Sequence, residues 1–267
     1  MMQRIITLLA VIGFLNCKEA PKEKTRETET PETAIGKAKT TYPEALEKVF
    51  NAHGGLENWK AQKTLYFEIA KPDALEKHTI DLHSRRDKIE ISETIMGFDG
   101  KEIWLSDEKE AYTGNAVVYH NLMFYFYAMP FVFADPGINY ETTEDLVFEG
   151  KSYPGIHISY DKGVGASPKD DYYLHYDPEN YQMAWLGYTF TYGSDKKSDD
   201  VRWIRYRDWM KVKEVLLPEY LTWYTYEGRT IKEAKDPLYF ENVSLDASSR
   251  PHTFYARPEN AKVVLNP

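Results

Sequence analysis

Across most of this sequence, apolar residues recur at every second position. Leu65, Phe67 and Ile69 alternate with Thr64, Tyr66 and Glu68. A period of two sends successive side chains to opposite faces, so such a run is a strand with one buried face. The pattern returns at His78, Ile80 and Leu82, at Ile89 and Ile91, and at Ile103 and Leu105 after the turn Asp99-Gly100. It continues through Ile156-Ile158-Tyr160, Tyr172-Leu174-Tyr176, Met183-Trp185, Arg202 to Arg207, Leu221 to Tyr226 and Leu238 to Leu245. Turn residues separate the runs at roughly the 8–12-residue spacing of antiparallel sandwiches and barrels. No strand-to-helix alternation points to a parallel sheet. The expectation is a mainly β (α+β) fold of about 10–11 antiparallel strands.

Two segments read as helix. Thr41-Tyr42-Pro43-Glu44 has the form of a capping box with an early proline. Ala45, Leu46, Val49 and Phe50 follow on one helical face, and Gly54-Gly55 ends the pattern. Ala116 to Ala134 is apolar and aromatic on every side. Pro130 and the pair His120-Asn121 argue against a membrane span there. A helix apolar all round is normally buried within the fold, either as plain core or as a plug over a cavity.

The N-terminus reads as an address. Arg4 precedes an apolar run from Ile5 to Leu15, too short to span a bilayer comfortably and typical of a signal peptide. It ends at Phe14-Leu15-Asn16-Cys17, a loose lipobox around the single cysteine of the chain. Cys17 is therefore the expected lipidation site. Lys18 to Thr40 is rich in Lys, Glu, Thr and Pro and cannot bury enough surface to fold. The expected organisation is a signal peptide over 1–16, a lipidated N-terminus and tether over 17–40, and one folded domain over 41–267.

Chemistry is harder to find. A formal net charge of −9 argues against a nucleic-acid partner. One cysteine excludes an internal disulfide framework. No zinc motif, phosphate loop or nucleophile elbow appears, so no catalytic residue, metal ligand or cofactor is predicted. His157 faces away from Ile156 and Ile158 and is either a ligand-facing polar group or a solvated one. Asp170-Asp171 reads as a solvated turn. Asp81 and His83 share a strand face, which an exposed ion pair would explain.

The aromatic residues carry more. There are 21 Tyr, 12 Phe and 6 Trp, and they must be packed somewhere. Apolar aromatics on the inner face of an open barrel either fill it or leave a groove for a chain. The residues expected to line such a groove are Phe67, Trp104, Met183, Trp185 and Trp223. Phe124, Tyr127, Met129 and Phe131 would form its lid. Alternation puts Trp185 on the face of Met183, and Trp223 on that of Leu221.

Some motifs are familiar. A helix running into His53-Gly54-Gly55-Leu56-Glu57-Asn58-Trp59 and then a strand resembles the opening of LolA-like outer-membrane lipoproteins. Phe124-Tyr125-Phe126, Met129-Pro130-Phe131, Asp135-Pro136-Gly137, Met183 to Tyr188, Trp203-Ile204-Arg205-Tyr206 and Trp223-Tyr224 resemble an uncharacterised Bacteroidota lipoprotein family, a domain of unknown function. The resemblance runs from about Tyr42 to Val264. It implies a strongly curved, unclosed antiparallel half-barrel whose helices cover an apolar concave face that takes acyl chains. It carries over no transport residue. The implied role is a membrane-anchored outer-membrane lipoprotein binding a lipid or other apolar ligand. The alternatives are an envelope protein-interaction module with a filled core, and an envelope hydrolase with a site built from loops.

Overall fold

The computed structural model describes residues 42–161, 163, 169–194 and 196–265. The expected leader, Cys17 and the expected tether lie outside the described residues.

Two helices come first, α1 (Glu44–Ala52) and α2 (Leu56–Lys60). α1 buries Leu46, Val49 and Phe50, as its spacing predicts. The expected capping box does not cap it. Pro43 is the N-cap residue and makes no side-chain cap bond, and Thr41 lies outside the described residues. Gly54, with φ +99°, follows the helix, and a Cβ there would stand 2.1 Å from the Glu214 carbonyl oxygen. Only glycine combines that dihedral with so close an approach.

A meander follows: β1 (Thr64–Lys71), β2 (Ala74–Asp81), β3 (Asp87–Ile91), β4 (Thr94–Phe98) and β5 (Ile103–Ser106). Helix α3 (Ala116–Tyr127) comes next, capped by Asn115, whose side chain accepts from the backbone N–H of Val117 and Val118. A 3₁₀ turn (Phe131–Ala134) leads into a second meander. Its strands are β6 (Ile138–Phe148), β7 (Lys151–Tyr160), β8 (Tyr172–Tyr176), β9 (Met183–Tyr188), β10 (Arg202–Val212), β11 (Val215–Glu227) and β12 (Thr230–Ala234). The chain then closes through β13 (Leu238–Tyr239), β14 (Glu241–Asp246), α4 (His252–Tyr255) and β15 (Lys262–Val264).

The strands form two unclosed sheets, and every pairing between them is antiparallel. The first runs β14-β1-β2-β3-β4-β5-β15 and the second β12-β11-β10-β9-β8-β7-β6, with β13 also on β11. The expected mainly β class, with few helices and open sheets, is the class observed. The predicted run Leu238 to Leu245 splits at Phe240. Its first part pairs with β11 in the second sheet and its remainder with β1 in the first. The chain thus steps from one sheet to the other at a single residue.

One large core lies between the sheets. It takes Leu65, Phe67 and Ile69 from β1, Ile158 and Leu174 from the second sheet, Phe50 from α1, and Phe124 and Tyr127 from α3. The segment Ala116 to Ala134 is therefore mostly core. Among the described residues no helix is long and apolar enough to cross a membrane.

Candidate ligand site

Six of the nine predicted ligand residues fill this core. Phe67, Phe124, Tyr127, Met129, Phe131 and Met183 are all at most 1 % exposed. Phe67 stacks on His78 with centroids 4.6 Å apart, Phe131 on Trp59 at 4.7 Å, and Tyr127 on Phe240 at 3.9 Å. Ring-to-ring packing of this kind leaves no wide interior channel, so these side chains are structural rather than groove-lining.

The three tryptophans part company. Trp104 on β5 is buried, and its indole N–H donates to the Tyr255 carbonyl oxygen at 3.1 Å. Trp185 does not share a face with Met183. Pairing of β8 with β9 skips a residue, matching His175 with Trp185 but Tyr176 with Met183. This bulge reverses the parity, so Met183 joins the main core and Trp185 a separate cluster on the other face. Trp223 packs against the main core beside Leu221, as expected, and donates to the Tyr188 hydroxyl at 3.2 Å.

That hydroxyl opens onto a cleft of about 140 Å³ at one side of the molecule. One wall is the outer face of α3, where Val118, Leu122 and Tyr125 recur at i, i+4 and i+7. The other is made by Tyr160, Tyr172 and Tyr188 from β7, β8 and β9. Phe190 lines it too, 38 % exposed. The hydroxyls of Tyr125 and Tyr160 bond to each other. Burial pushes the Tyr125 hydroxyl up to about 12, so it stays protonated and able to donate. The walls are apolar carbon with hydroxyls set among it.

Buried acids tie α3 to the first sheet. Glu76 on β2 accepts from the Tyr119 hydroxyl and pairs with Lys71 and His78. Burial acts to raise this carboxyl, but the bonds from His78, Lys71 and Tyr119 outweigh it and hold the acid at about 2. Asp87 on β3, 1 % exposed, takes the next helix residue, with its Oδ2 2.7 Å from His120 Nδ1. Burial raises the Asp87 carboxyl, and the His120 contact opposes that. His120 also lines the cleft.

The other polar candidates are structural ties. Asp170 and Asp171 are not solvated. The Oδ1 of Asp170 accepts from both N–H and hydroxyl of Thr191, and Asp171 pairs with His157 at 3.0 Å and Lys197 at 3.2 Å. Asp81 and His83 form no exposed ion pair. Asp81 is buried and accepts from the backbone N–H of His83 and Ser84 in a turn. Among the described residues, no group of three or more His, Cys, Asp or Glu side chains can hold a metal.

Residues 62–220 match a family of unknown function, DUF6503. The chain belongs to that family. A comparison of this DUF6503 member with curated proteins found no significant match. Its chain path is similar to a LolA superfamily protein from Nitrosomonas europaea, with 10 % identity and a TM-score of 0.47 over 80 % of this chain and 96 % of that one. A DUF1329 protein from Desulfovibrio piger gives 8 % identity and 0.49 over 79 % and 95 %. A putative outer membrane lipoprotein-sorting protein domain from Vibrio parahaemolyticus gives 8 % and 0.42 over 78 % and 97 %.

Val118, Leu122 and Tyr125 escaped the sequence reading, which chose Phe124 and Tyr127 from the same helix. The signal was the helical spacing itself. With apolar residues on every side of α3, nothing in the pattern marks which face turns inward.

Proposed function

We propose that this chain is a cell-envelope lipoprotein, lipidated and membrane-anchored through Cys17, that holds an apolar or amphipathic ligand non-covalently. The site is the cleft between α3 and β7–β9, not the closed interior. The observation that carries this reading is the cleft's build: an apolar wall on the outer face of α3 opposite a row of tyrosines, with Phe190 partly exposed beside them. Its volume is close to that of an engineered ~150 Å³ cavity that takes benzene. A single ring or the end of an acyl chain fits that scale. Each buried methylene contributes about 0.8 kcal/mol. Tyrosine hydroxyls beside the apolar wall supply hydrogen bonds to a polar end group.

The test is organic extraction of natively purified full-length protein, with mass spectrometry of the extract, followed by uptake of a fluorescent fatty acid. Lipid in the extract and uptake abolished by Leu122→Trp, which fills the cleft, are the expected results. Absence of both lipid and uptake, or uptake indifferent to Leu122→Trp, would overturn the reading.

A second reading, an envelope interaction module with a filled interior, draws support from the ring packing around Tyr127. It predicts an empty extract and no uptake.

A further inference from the structure

The outer face of the second sheet, remote from α3, carries a different kind of site. Two glycines prepare it. Gly155 on β7 sits opposite His175, and a Cβ there would come within 2.6 Å of the imidazole. Gly187 on β9 lies between Tyr173 and Trp203, and a Cβ would come within 2.9 Å of the indole. The rings of His175 and Trp203 therefore rest against bare backbone, forming a flat floor. Both are at most 5 % exposed.

Two sheet margins rise beside this floor. The ladder between β6 and β7 shifts register between Thr143 and Leu146, and Phe148 lies 4.7 Å from Trp185, centroid to centroid. On the far side, Arg229 in the β11–β12 turn stands 5.2 Å above the Tyr173 ring. The groove between them has a volume of about 290 Å³, with Glu144 and Asp145 on one rim and Arg229 on the other.

Its polar groups are of both kinds. The buried indole N–H of Trp203 has no acceptor among the described residues. The Nδ1 of His175 contacts the Tyr153 carbonyl at 3.1 Å, which makes it the donor and leaves Nε2 as an acceptor. Burial keeps this imidazole neutral. An anionic head group would meet two carboxylates for one guanidinium. A hydrocarbon tail would strand every one of these polar groups. A molecule with hydroxyls around its rim and C–H bonds on its face satisfies both the floor and the rims.

We propose that this groove binds a pyranose ring of a saccharide, stacked on the His175–Trp203 floor, with its hydroxyls held by Glu144, Asp145, Arg229 and the Trp203 N–H. The volume sits near the lower end, about 300 Å³, of small-molecule sites. The groove is separate from the α3 cleft and stands or falls independently of it.

The test uses the full chain, titrated separately with methyl glucoside, N-acetylglucosamine and maltotriose. Tryptophan fluorescence and the indole N–H resonances report binding, with Trp203 assigned by its disappearance in Trp203→Phe. Saturable binding of at least one probe and movement of the Trp203 resonance are expected. Arg229→Ala and Glu144→Gln change exposed rim residues, so folding is preserved. Each should weaken binding by about tenfold through loss of a charge-assisted hydrogen bond. Arg229→Ala should leave fatty-acid uptake unchanged, which separates failure here from failure at the cleft. No saturable response to any of the three probes, or binding indifferent to both rim variants, would overturn the proposal. So would capture of an extended peptide by the groove in place of the sugars.

Discussion

The ring of Phe240 lies on that of Tyr127, centroids 3.9 Å apart, where the chain steps from the second sheet into the first. Phe240 also meets Phe67 edge-on at 5.4 Å, and its backbone N–H donates to the Glu219 carbonyl. One side chain thus packs on α3 and β1 while its backbone bonds to β11. Phe240→Ala should cost about 3–5 kcal/mol, through lost burial and the cavity left behind. Tyr127→Phe should be neutral or stabilising by about 1 kcal/mol, because the Tyr127 hydroxyl is buried without a partner among the described residues. Urea unfolding of both variants checks this. A clear loss in Tyr127→Phe would mean that the hydroxyl is hydrogen-bonded in solution.

His53 makes stability depend on pH. Burial holds its imidazole down at about 4, although its bond to the Val49 carbonyl opposes that. The ring stays neutral in the folded chain, and Nε2 accepts from the Met183 backbone N–H at 3.4 Å. An unfolded histidine titrates near 6.5. The unfolded state therefore takes up the proton first, and stability falls as pH drops from about 6.5 to about 4. The loss is on the order of 3 kcal/mol for this residue. Glu76 acts in a lower window: its carboxyl is depressed to about 2, so its contribution disappears between about 4.5 and about 2. Unfolding midpoints measured down the pH scale should show the histidine phase, and His53→Asn should flatten it. A profile unchanged by His53→Asn would count against a buried neutral ring.

The Asp87–His120 pair should behave as a buried ion pair does when one partner is lost. His120→Ala leaves the Asp87 carboxyl stranded and should cost about 3–5 kcal/mol. Adding Asp87→Leu to that variant should recover most of the loss, because the acid no longer needs a partner. A double-mutant cycle measures the coupling. Equal and additive losses from the two single changes would show that the pair is not coupled.

Cys17→Ala should abolish incorporation of a labelled acyl chain and release the protein from membranes. Membrane attachment that persists in this variant would rule out Cys17 as the anchor.

Much of the fold was legible because strands with one wet and one dry face announce themselves. β1 buries Leu65, Phe67 and Ile69 and keeps Tyr66 and Glu68 half-buried, so its pattern is unambiguous. β6 and β12 did not show. Both lie on sheet margins and both faces are largely wetted, so no alternation marks them. Fifteen strands form where ten or eleven were expected. The site was less legible. Parity arguments fail across a bulge, which is why Met183 and Trp185 were placed together. They also fail along α3, where every side is apolar and only packing decides between Tyr125 and Tyr127. Asp170 and Asp171 looked like a wet turn because their partners, Thr191 and His157, are distant in sequence or on another strand.

Both margins of the first sheet are occupied by late segments, β14 on β1 and β15 on β5. The five-strand meander that ends at Ser106 therefore emerges during synthesis with two bare edges, and these wait for residues that follow the whole second sheet. Contacts so far apart in sequence form slowly, because loop closure precedes any gain from pairing. Unpaired edges are also templates for other chains in the meantime. The order of the strands thus gives this protein a long unguarded interval on the way to the native state. Its vulnerability to aggregation should be read from the lifetime of that interval rather than from the stability of the finished fold.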